Sequence, residues 1–243
     1  MIEIYNQILF RPLFNLLVFI YNVMPGGDFG LAIILVTVMT RFAFVPLSIK
    51  SLVSQKEMNQ LQPKIRELQE KHKNDKQALG QATMALYKEH KVNPFSGCLP
   101  LLIQLPVLLA LYQALGSGFK PETLQSLYSF VRNPGAIKEM AFGLVNLAKN
   151  YPVMAVIAGV LQWVQSKQAV SFQASAVKGQ PEPPAVKVSR QMLYFFPVMV
   201  IIIAWNLPAG LVLYWIVATA FSIFEQLYIN KKYKAKTQPQ TQT

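Results

Sequence analysis

Long apolar blocks separated by polar segments dominate the hydrophobic pattern of the chain. The first block covers residues 29–49, and at a helical rise of 1.5 Å per residue it is about 31 Å long, roughly the thickness of the hydrocarbon core of a bilayer. Four more blocks are bounded by charged or turn residues. The predicted spans are residues 29–49, 94–115, 152–167, 191–206 and 209–229. We therefore predict an all-α polytopic membrane protein with five transmembrane helices.

The N-terminal segment, residues 1–28, differs because polar residues recur along one side of it. Gln7, Arg11, Asn15 and Asn22 are spaced by four, four and seven residues, which places them on one helical face. We interpret the segment as an amphipathic helix at the outer membrane interface, followed by a Pro-Gly-Gly-Asp turn into the first span. A signal peptide is the alternative, but no small-residue cleavage site follows the apolar stretch.

The polar segment between the first two spans, residues 50–93, carries a second helical pattern. Apolar residues recur there at spacings of three and four on both sides of a turn-forming sequence at residues 72–75. This predicts an antiparallel cytoplasmic helical hairpin with a narrow apolar seam. Pro63 should bend the first arm or mark a new helix start. The hairpin is either a tether or a docking or gating element.

Three further connections complete the predicted organisation. They are an outer loop at residues 116–151, a cytoplasmic loop at residues 168–190 and a cytoplasmic tail at residues 230–243. The cytoplasmic loop contains a Pro-rich stretch, and the tail ends in Gln and Thr. Both compositions predict disorder.

Basic residues assign the two sides of the membrane. Of the 23 Lys and Arg residues, nine lie within residues 50–91, four within 167–190 and four within 231–236, whereas five lie in the segments on the other side. Because cytoplasmic loops carry an excess of Lys and Arg, we predict an outer N-terminus and a cytoplasmic C-terminus. The net charge of +12 is then mainly a topology signal. The basic loops also suit anionic lipids or ribosomal RNA.

Arg41 is a charged residue inside the first predicted span. An arginine near the middle of a span costs about 2.5 to 3.5 kcal/mol on insertion scales, so something must offset this cost. One interpretation is an arginine that snorkels or pairs with a buried carboxylate. The only acid within a predicted span, Glu225, lies near the cytoplasmic end of the last one. We therefore expect Arg41 to face water or polar side chains in a cavity.

Polar residues in the other spans form matching stripes. Thr37 and Ser48 share the stripe of Arg41. The second, third and fifth spans contribute, respectively, Gln104; Gln162, Gln165 and Ser166; and Trp215, Thr219, Ser222 and Gln226. One stripe alone is typical of hydrogen bonding between helices. Together these residues lie in the middle and inner half of the predicted membrane, which predicts a hydrophilic pocket open to the cytoplasm and closed toward the outside.

This pocket shape argues against several function classes. A channel or solute transporter needs polar lining across both halves of the membrane, and ion-coupled carriers commonly bury carboxylates near the midplane. Both histidines belong to the hairpin, no HExxH or GxSxG motif occurs, and Cys98 is the single cysteine. We therefore predict no enzyme activity, no metal, no cofactor and no DNA partner. The pocket is expected to receive something polar from the cytoplasm.

Three stretches of the sequence are characteristic enough to compare with known families. They are ALYKEHKVNPFSGCLPLLIQLP at residues 85–106, LQPKI at residues 61–65 and LPAGLVLYW at residues 207–215. All three resemble the YidC/Oxa1/Alb3 membrane protein insertases. Arg41, followed by a proline five residues later, also matches. The resemblance covers about residues 7 to 230. The large extracytoplasmic domain of Gram-negative bacterial members is missing, which favours a compact form in the bacterial cell membrane.

The resemblance implies five core spans and a positively charged groove that takes in nascent membrane proteins without hydrolysing nucleotide. It implies that Arg41 is the groove arginine, that Gln104 and Gln165 line the groove, and that Trp215 is the aromatic residue of the last span. Gln165 is assigned over Gln162 from its QSK context. The predicted groove residues are Arg41, Thr37, Gln104, Gln165, Trp215, Thr219 and Ser222.

Ribosomes and the Sec translocon are further partners that the resemblance implies. The basic tail at residues 231–236 is short, which argues against ribosome binding through the tail. A non-translocating chaperone or assembly scaffold for newly inserted helices is the alternative function.

Overall fold

The computed structural model describes residues 2–24, 26–73, 75–93, 99–116, 121–135, 137–171 and 184–237. Its helices are α1 (Ile2–Tyr5), α2 (Arg11–Val23), α3 (Phe29–Gln60), α4 (Gln62–Lys71), α5 (Lys76–Glu89), α6 (Leu99–Gly116), α7 (Pro121–Leu124), α8 (Pro152–Ser171), α9 (Pro184–Trp205) and α10 (Ala209–Thr237). A π-helical turn, Asn6–Phe10, joins α1 to α2. Strands β1 (Met140–Ala141) and β2 (Val145–Asn146) pair antiparallel. The predicted all-α class is confirmed.

Three helices in the described part of the chain are long and apolar enough to cross a membrane. They are Glu3–Val23, Phe29–Met58 and Ala209–Lys232, and Tyr194–Trp205 is a shorter apolar helix. The second and third contain the first and fifth predicted spans. The first is the segment that the sequence places at the membrane interface. Its interfacial position therefore stays a prediction, as does the total of five spans.

Helix α2 uses its polar stripe to hold the outer loop. Asn15 is only 2% exposed, and its Nδ2 donates to the Ser126 carbonyl at 3.2 Å. Its Oδ1 accepts from the Tyr128 backbone N–H at 2.6 Å, and Arg11 Nε donates to the same Ser126 carbonyl at 3.0 Å. Buried polar groups need such partners. The stripe that the sequence pattern assigns to the membrane surface thus contacts protein.

The central bundle joins α3, α8, α9 and α10, with α2 and α6 packed against it. Its main apolar cluster combines residues from α2, α3, α6, α10 and the outer loop, including Leu17, Ile33, Leu111 and Leu211. A second cluster joins α8, α9 and α10. Gly159 lets α8 approach α9 closely, because a Cβ atom there would lie 2.2 Å from Ile201 Cγ1. Small residues commonly permit such close packing between helices in membranes.

Helix α3 continues past the predicted end of the first span. It contains Pro46 and runs on to Gln60, and on this extension Ser51 and Lys56 are 2% and 5% exposed. Glutamine, lysine, glutamate and methionine are good helix formers, so the polar sequence continues the helix that the apolar block begins. The boundary between the first predicted span and the predicted cytoplasmic segment is therefore a change of composition along one helix.

Helices α4 and α5 occupy the segment predicted as a helical hairpin. Pro63 lies in the first turn of α4, where its missing N–H costs no hydrogen bond. Asp75 caps α5 by accepting from two backbone N–H groups at 3.0 and 2.9 Å. Leu61, Ile65 and Val92 form a small buried cluster with Leu86 packed against it. The Pro-rich cytoplasmic stretch, the end of the tail and the start of the second predicted span lie outside the described residues.

Candidate functional site: a polar cluster around Arg41

Arg41 lies where α3 packs against α10 and α6. It is 12 residues after Phe29, the first residue of α3, which is about 18 Å along the helix axis at 1.5 Å per residue. The side chain is partly buried. At this position along the first predicted span, a charged group is costly unless it finds polar partners.

Two neutral side chains accept hydrogen bonds from Arg41. Nη2 donates to Gln104 Oε1 on α6 at 2.5 Å, and Nη1 donates to Ser222 Oγ on α10 at 3.2 Å. The Gln104 amide in turn donates through Nε2 to the Tyr214 hydroxyl. Three helices are therefore tied together by one guanidinium and one amide. Gln104 and Ser222, both predicted from sequence, are brought to Arg41.

Tyr214 is the member of this cluster that the sequence argument missed. It is 2% exposed, and it belongs to the main apolar cluster as well as to the polar one. A tyrosine within an apolar span is itself a signal, because a buried phenol hydroxyl usually needs a hydrogen-bond partner.

A second polar pair lies between α3 and α10, nearer the predicted cytoplasmic end. Ser48 Oγ donates to Glu225 Oε2 at 2.8 Å. Ser48 follows Arg41 by seven residues on α3, and Glu225 follows Ser222 by three on α10. Glu225 Oε1 is buried without a hydrogen-bond partner among the described residues. Two polar contacts therefore join α3 to α10 at successive positions along the helices, Arg41 with Ser222 and Ser48 with Glu225.

The other predicted groove residues are not among the hydrogen-bond partners of Arg41 described above, which are Gln104 and Ser222. Thr37 is 1% exposed, and its hydroxyl donates to the Ile33 carbonyl at 2.6 Å. A role for Thr37 in lining the groove therefore stays a prediction. Thr219 is 3% exposed, and so it is buried between helices.

Gln165 and Trp215 lie on the α8 side of the bundle. Gln162 Nε2 donates to Gln165 Oε1 at 3.1 Å. The two glutamines considered for the groove-lining position on α8 are therefore hydrogen-bonded to each other. Gln165 is partly exposed, whereas Gln162 is 8% exposed. Trp215 packs against the apolar cluster of α8, α9 and α10.

Apolar side chains surround the cluster on the outside of the bundle. On α3, Phe42 is 63% exposed, and on α6, Leu105 is 45% exposed. Phe42 also stacks edge-on against Phe221 of α10, with ring centroids 5.2 Å apart. In a membrane such surfaces contact lipid. The chain neighbours of Arg41 and Gln104, Phe42 and Leu105, therefore place apolar surface beside the polar cluster.

A cleft of about 300 Å³ lies elsewhere, between the N-terminal helix, α6 and α7. It is lined by Asn6, Gln7, Phe10, Arg11, Gln113, Thr123 and Ser126. The cytoplasm-open pocket at Arg41 therefore stays a prediction. Within the residues that the structure describes, no group of three His, Cys, Asp or Glu side chains could hold a metal ion.

Comparison with known proteins adds independent information on this chain. The family profile described as 60Kd inner membrane protein matches residues 19–237. A protein of Fusobacterium nucleatum named "Membrane protein insertase YidC" is 37% identical over 206 residues, which cover 85% of this chain and 88% of the relative. A "Membrane protein insertase YidC 1" of Listeria monocytogenes is 38% identical over 215 residues, covering 87% and 67%. One of Geobacter sulfurreducens is 38% identical over 221 residues, covering 91% and 37%.

Proposed function

Because the chain belongs to the YidC/Oxa1 family of 60Kd inner membrane proteins, we propose that it is an insertase for nascent membrane proteins. The family and the apolar helices make it a multi-pass protein of the bacterial inner membrane. The single observation that carries the proposal is the cluster of Arg41, Gln104 and Ser222, which keeps a cation within the bundle on neutral partners.

The cluster offers a positive charge to an acidic segment of a substrate. Arginine stays ionised when desolvated, and its planar guanidinium matches a carboxylate. Gln104 and Ser222 are neutral acceptors, so a substrate carboxylate can replace one of them as the partner of Arg41 without displacing another charge. The displaced amide and hydroxyl can then serve the polar backbone of the entering chain. We propose that this exchange draws a short polar segment into the membrane from the cytoplasmic side.

Release into lipid follows from the exposed apolar faces beside the cluster. The new span of the substrate can slide along α3, α8 and α10 and bury its apolar surface in lipid, which yields about 25 cal/mol per Å². No nucleotide is needed for this step in the proposal. The basic helices α4 and α5 suit contacts with the ribosome or anionic lipids, and the Sec translocon is a further candidate partner.

Photo-crosslinking to a stalled nascent chain tests the entry route. A photoreactive residue replaces Gln104, and crosslinks are followed while the ribosome-bound span is lengthened residue by residue. We expect crosslinks that move with substrate length. The matched control is the same residue at Thr37, which lies one turn from Arg41 but is 1% exposed and should crosslink poorly.

The alternative is a scaffold that binds newly inserted helices without moving polar segments. It predicts crosslinks on the exposed face of α8, for example at Val153 or Val160, and none at Gln104. Purified protein in liposomes separates the two functions directly. Failure to insert a single-span substrate there would contradict the insertase proposal and favour the scaffold.

A further inference from the structure

The outer loop ends in a small β-hairpin whose tip exposes two large apolar residues. β1 and β2 are joined by Phe142-Gly143-Leu144, with Met140 opposite Asn146 and Ala141 opposite Val145. Phe142 is 56% exposed and Leu144 is 80% exposed. Phe142 has a φ of 53°, a strained conformation that is uncommon for a bulky residue. The hairpin tip therefore combines two exposed apolar side chains with a strained backbone position.

The tip is clamped to the start of α3. Asp28 Oδ1 caps α3 by accepting from the Leu31 backbone N–H at 2.9 Å, and Oδ2 of the same carboxylate accepts from the Phe142 N–H at 2.5 Å. Ala141 lies against Gly30, where a Cβ atom would be 2.4 Å from the Ala141 Cβ. One carboxylate and one glycine thus fix the hairpin to the end of the first predicted span.

The returning chain is fixed to two more helix ends. The carbonyl of Leu147 accepts from the Gly210 N–H at 3.0 Å, and that of Lys149 accepts from the Ala209 N–H at 2.7 Å. Asn150 Nδ2 donates to the carbonyl of Trp205, the last residue of α9, at 3.3 Å. The hairpin therefore lies at the level where α9 ends and α3 and α10 begin.

Exposed residues mark this level as the edge of the hydrocarbon. Trp205 is 45% exposed, and tryptophan is enriched at membrane interfaces. Just inside it, Val153 on α8 is 71% exposed and Ile202 on α9 is 64% exposed. Two exposed lysines, Lys138 and Lys149, flank the hairpin and can reach lipid phosphates.

We propose that the Phe142-Gly143-Leu144 tip inserts into the lipid leaflet beside the N-terminal ends of α3 and α10. The partner is lipid, because the tip is apolar, lies at the edge of the hydrocarbon and has basic flanks. Glu139 is the acidic exception among these flanks, and it is exposed as well. Through Asp28, the anchored tip holds the start of α3, and so it fixes the depth of Arg41 in the membrane.

Fluorescence quenching by brominated lipid tests the insertion. In a Cys98→Ala background, which removes the single cysteine, Leu144→Cys carries an environment-sensitive label in the reconstituted full chain. We expect the emission of the label to be shifted to the blue in vesicles of phosphatidylcholine and phosphatidylglycerol. Its intensity should be lower when these lipids are brominated than when they are not. Asn133→Cys, an exposed polar site in the same loop, is the matched control and should show neither change. Equal quenching at the two positions would overturn the proposal.

A second measurement does not depend on replacing Cys98. A diazirine amino acid at Leu144 is photolysed in the same vesicles, and adducts are identified by mass spectrometry. Lipid adducts at Leu144, absent at Asn133, are the expected result. Adducts to a second copy of the chain or to another protein, without lipid adducts, would refute the insertion and show that the tip is a protein contact.

Discussion

Replacing Gln104 by glutamate separates the structural role of the cluster from its proposed function. Glutamate retains an oxygen that accepts from Arg41 Nη2, and the Tyr214 hydroxyl can donate to the new carboxylate. The hydrogen-bond connections between α3, α6 and α10 therefore persist. The formal charge of the cluster, by contrast, falls from +1 to zero, so the substituted side chain imitates a substrate carboxylate that never leaves.

Coulomb's law gives the magnitude of the effect. Two unit charges about 4 Å apart interact by about 4 kcal/mol at an effective dielectric constant of about 20. A substrate carboxylate entering the Gln104→Glu variant loses much of that attraction. If about 1.4 kcal/mol of this attraction is lost in the transition state of the rate-limiting step of insertion, the rate falls about tenfold. Thermal stability should remain equal to that of the parent chain or rise, because the new pair is oppositely charged.

Insertion into liposomes is the assay, with two substrates that differ only in their short translocated segment. One carries acidic residues, and the other carries glutamine and asparagine in their place. We expect Gln104→Glu to slow the acidic substrate about tenfold, as estimated above, and to affect the neutral one little. Gln104→Met, which keeps the size of the side chain and the charge of Arg41 but removes the amide, controls for the lost hydrogen bonds. Unchanged insertion of the acidic substrate by a folded Gln104→Glu variant would refute the electrostatic reasoning.

Four further substitutions test the fold, each by thermal unfolding in detergent or by proteolysis. Tyr214→Phe removes the acceptor of Gln104 Nε2 and should destabilise the protein by about 1 to 3 kcal/mol; an unchanged melting temperature would show that the amide finds another partner. Gly159→Ala should destabilise by about 1 to 3 kcal/mol because its Cβ meets Ile201. Gly80→Ala, with nothing within 4 Å, should stabilise by about 0.5 to 1 kcal/mol, so equal effects at the two glycines would contradict the packing argument. Asn15→Leu removes the hydrogen bonds from α2 to the outer loop, and so we expect faster proteolysis at residues 124–132. A cleavage rate equal to that of the parent chain would show that these bonds do not hold the loop.

The sequence predicted the family, the helical class and the centre of the site because these depend on long or costly features. The apolar blocks give the helices, and an arginine in such a block requires polar partners wherever it packs. Gln104 and Ser222 could be predicted as such partners because they are polar residues within apolar spans. Periodicity alone could not show that Thr37 would bond to its own helix, since a threonine hydroxyl can satisfy itself on the carbonyl four residues earlier.

The features that sequence reasoning missed depend on contacts between distant segments. The stripe on α2 predicts a polar face, yet its partner is the backbone of the outer loop more than 110 residues away. The β-hairpin has strands of two residues, too short for an alternating pattern to be recognised. The continuation of α3 to Gln60 was missed because hydrophobicity marks the end of a span and not the end of a helix.

The energetics of Arg41 explain how a cation can remain available inside the bundle. Burying it near the middle of a span costs about 2.5 to 3.5 kcal/mol, and two hydrogen bonds from a charged donor contribute about 1.5 to 3 kcal/mol each. The hydrogen bonds to Gln104 and Ser222 are therefore of the size needed to offset this cost. Glu225, the nearest candidate acid on α10, already accepts from Ser48. Two neutral hydrogen-bond acceptors thus offset the free-energy cost of burying the guanidinium. In the proposed function, an entering carboxylate then pairs with its positive charge.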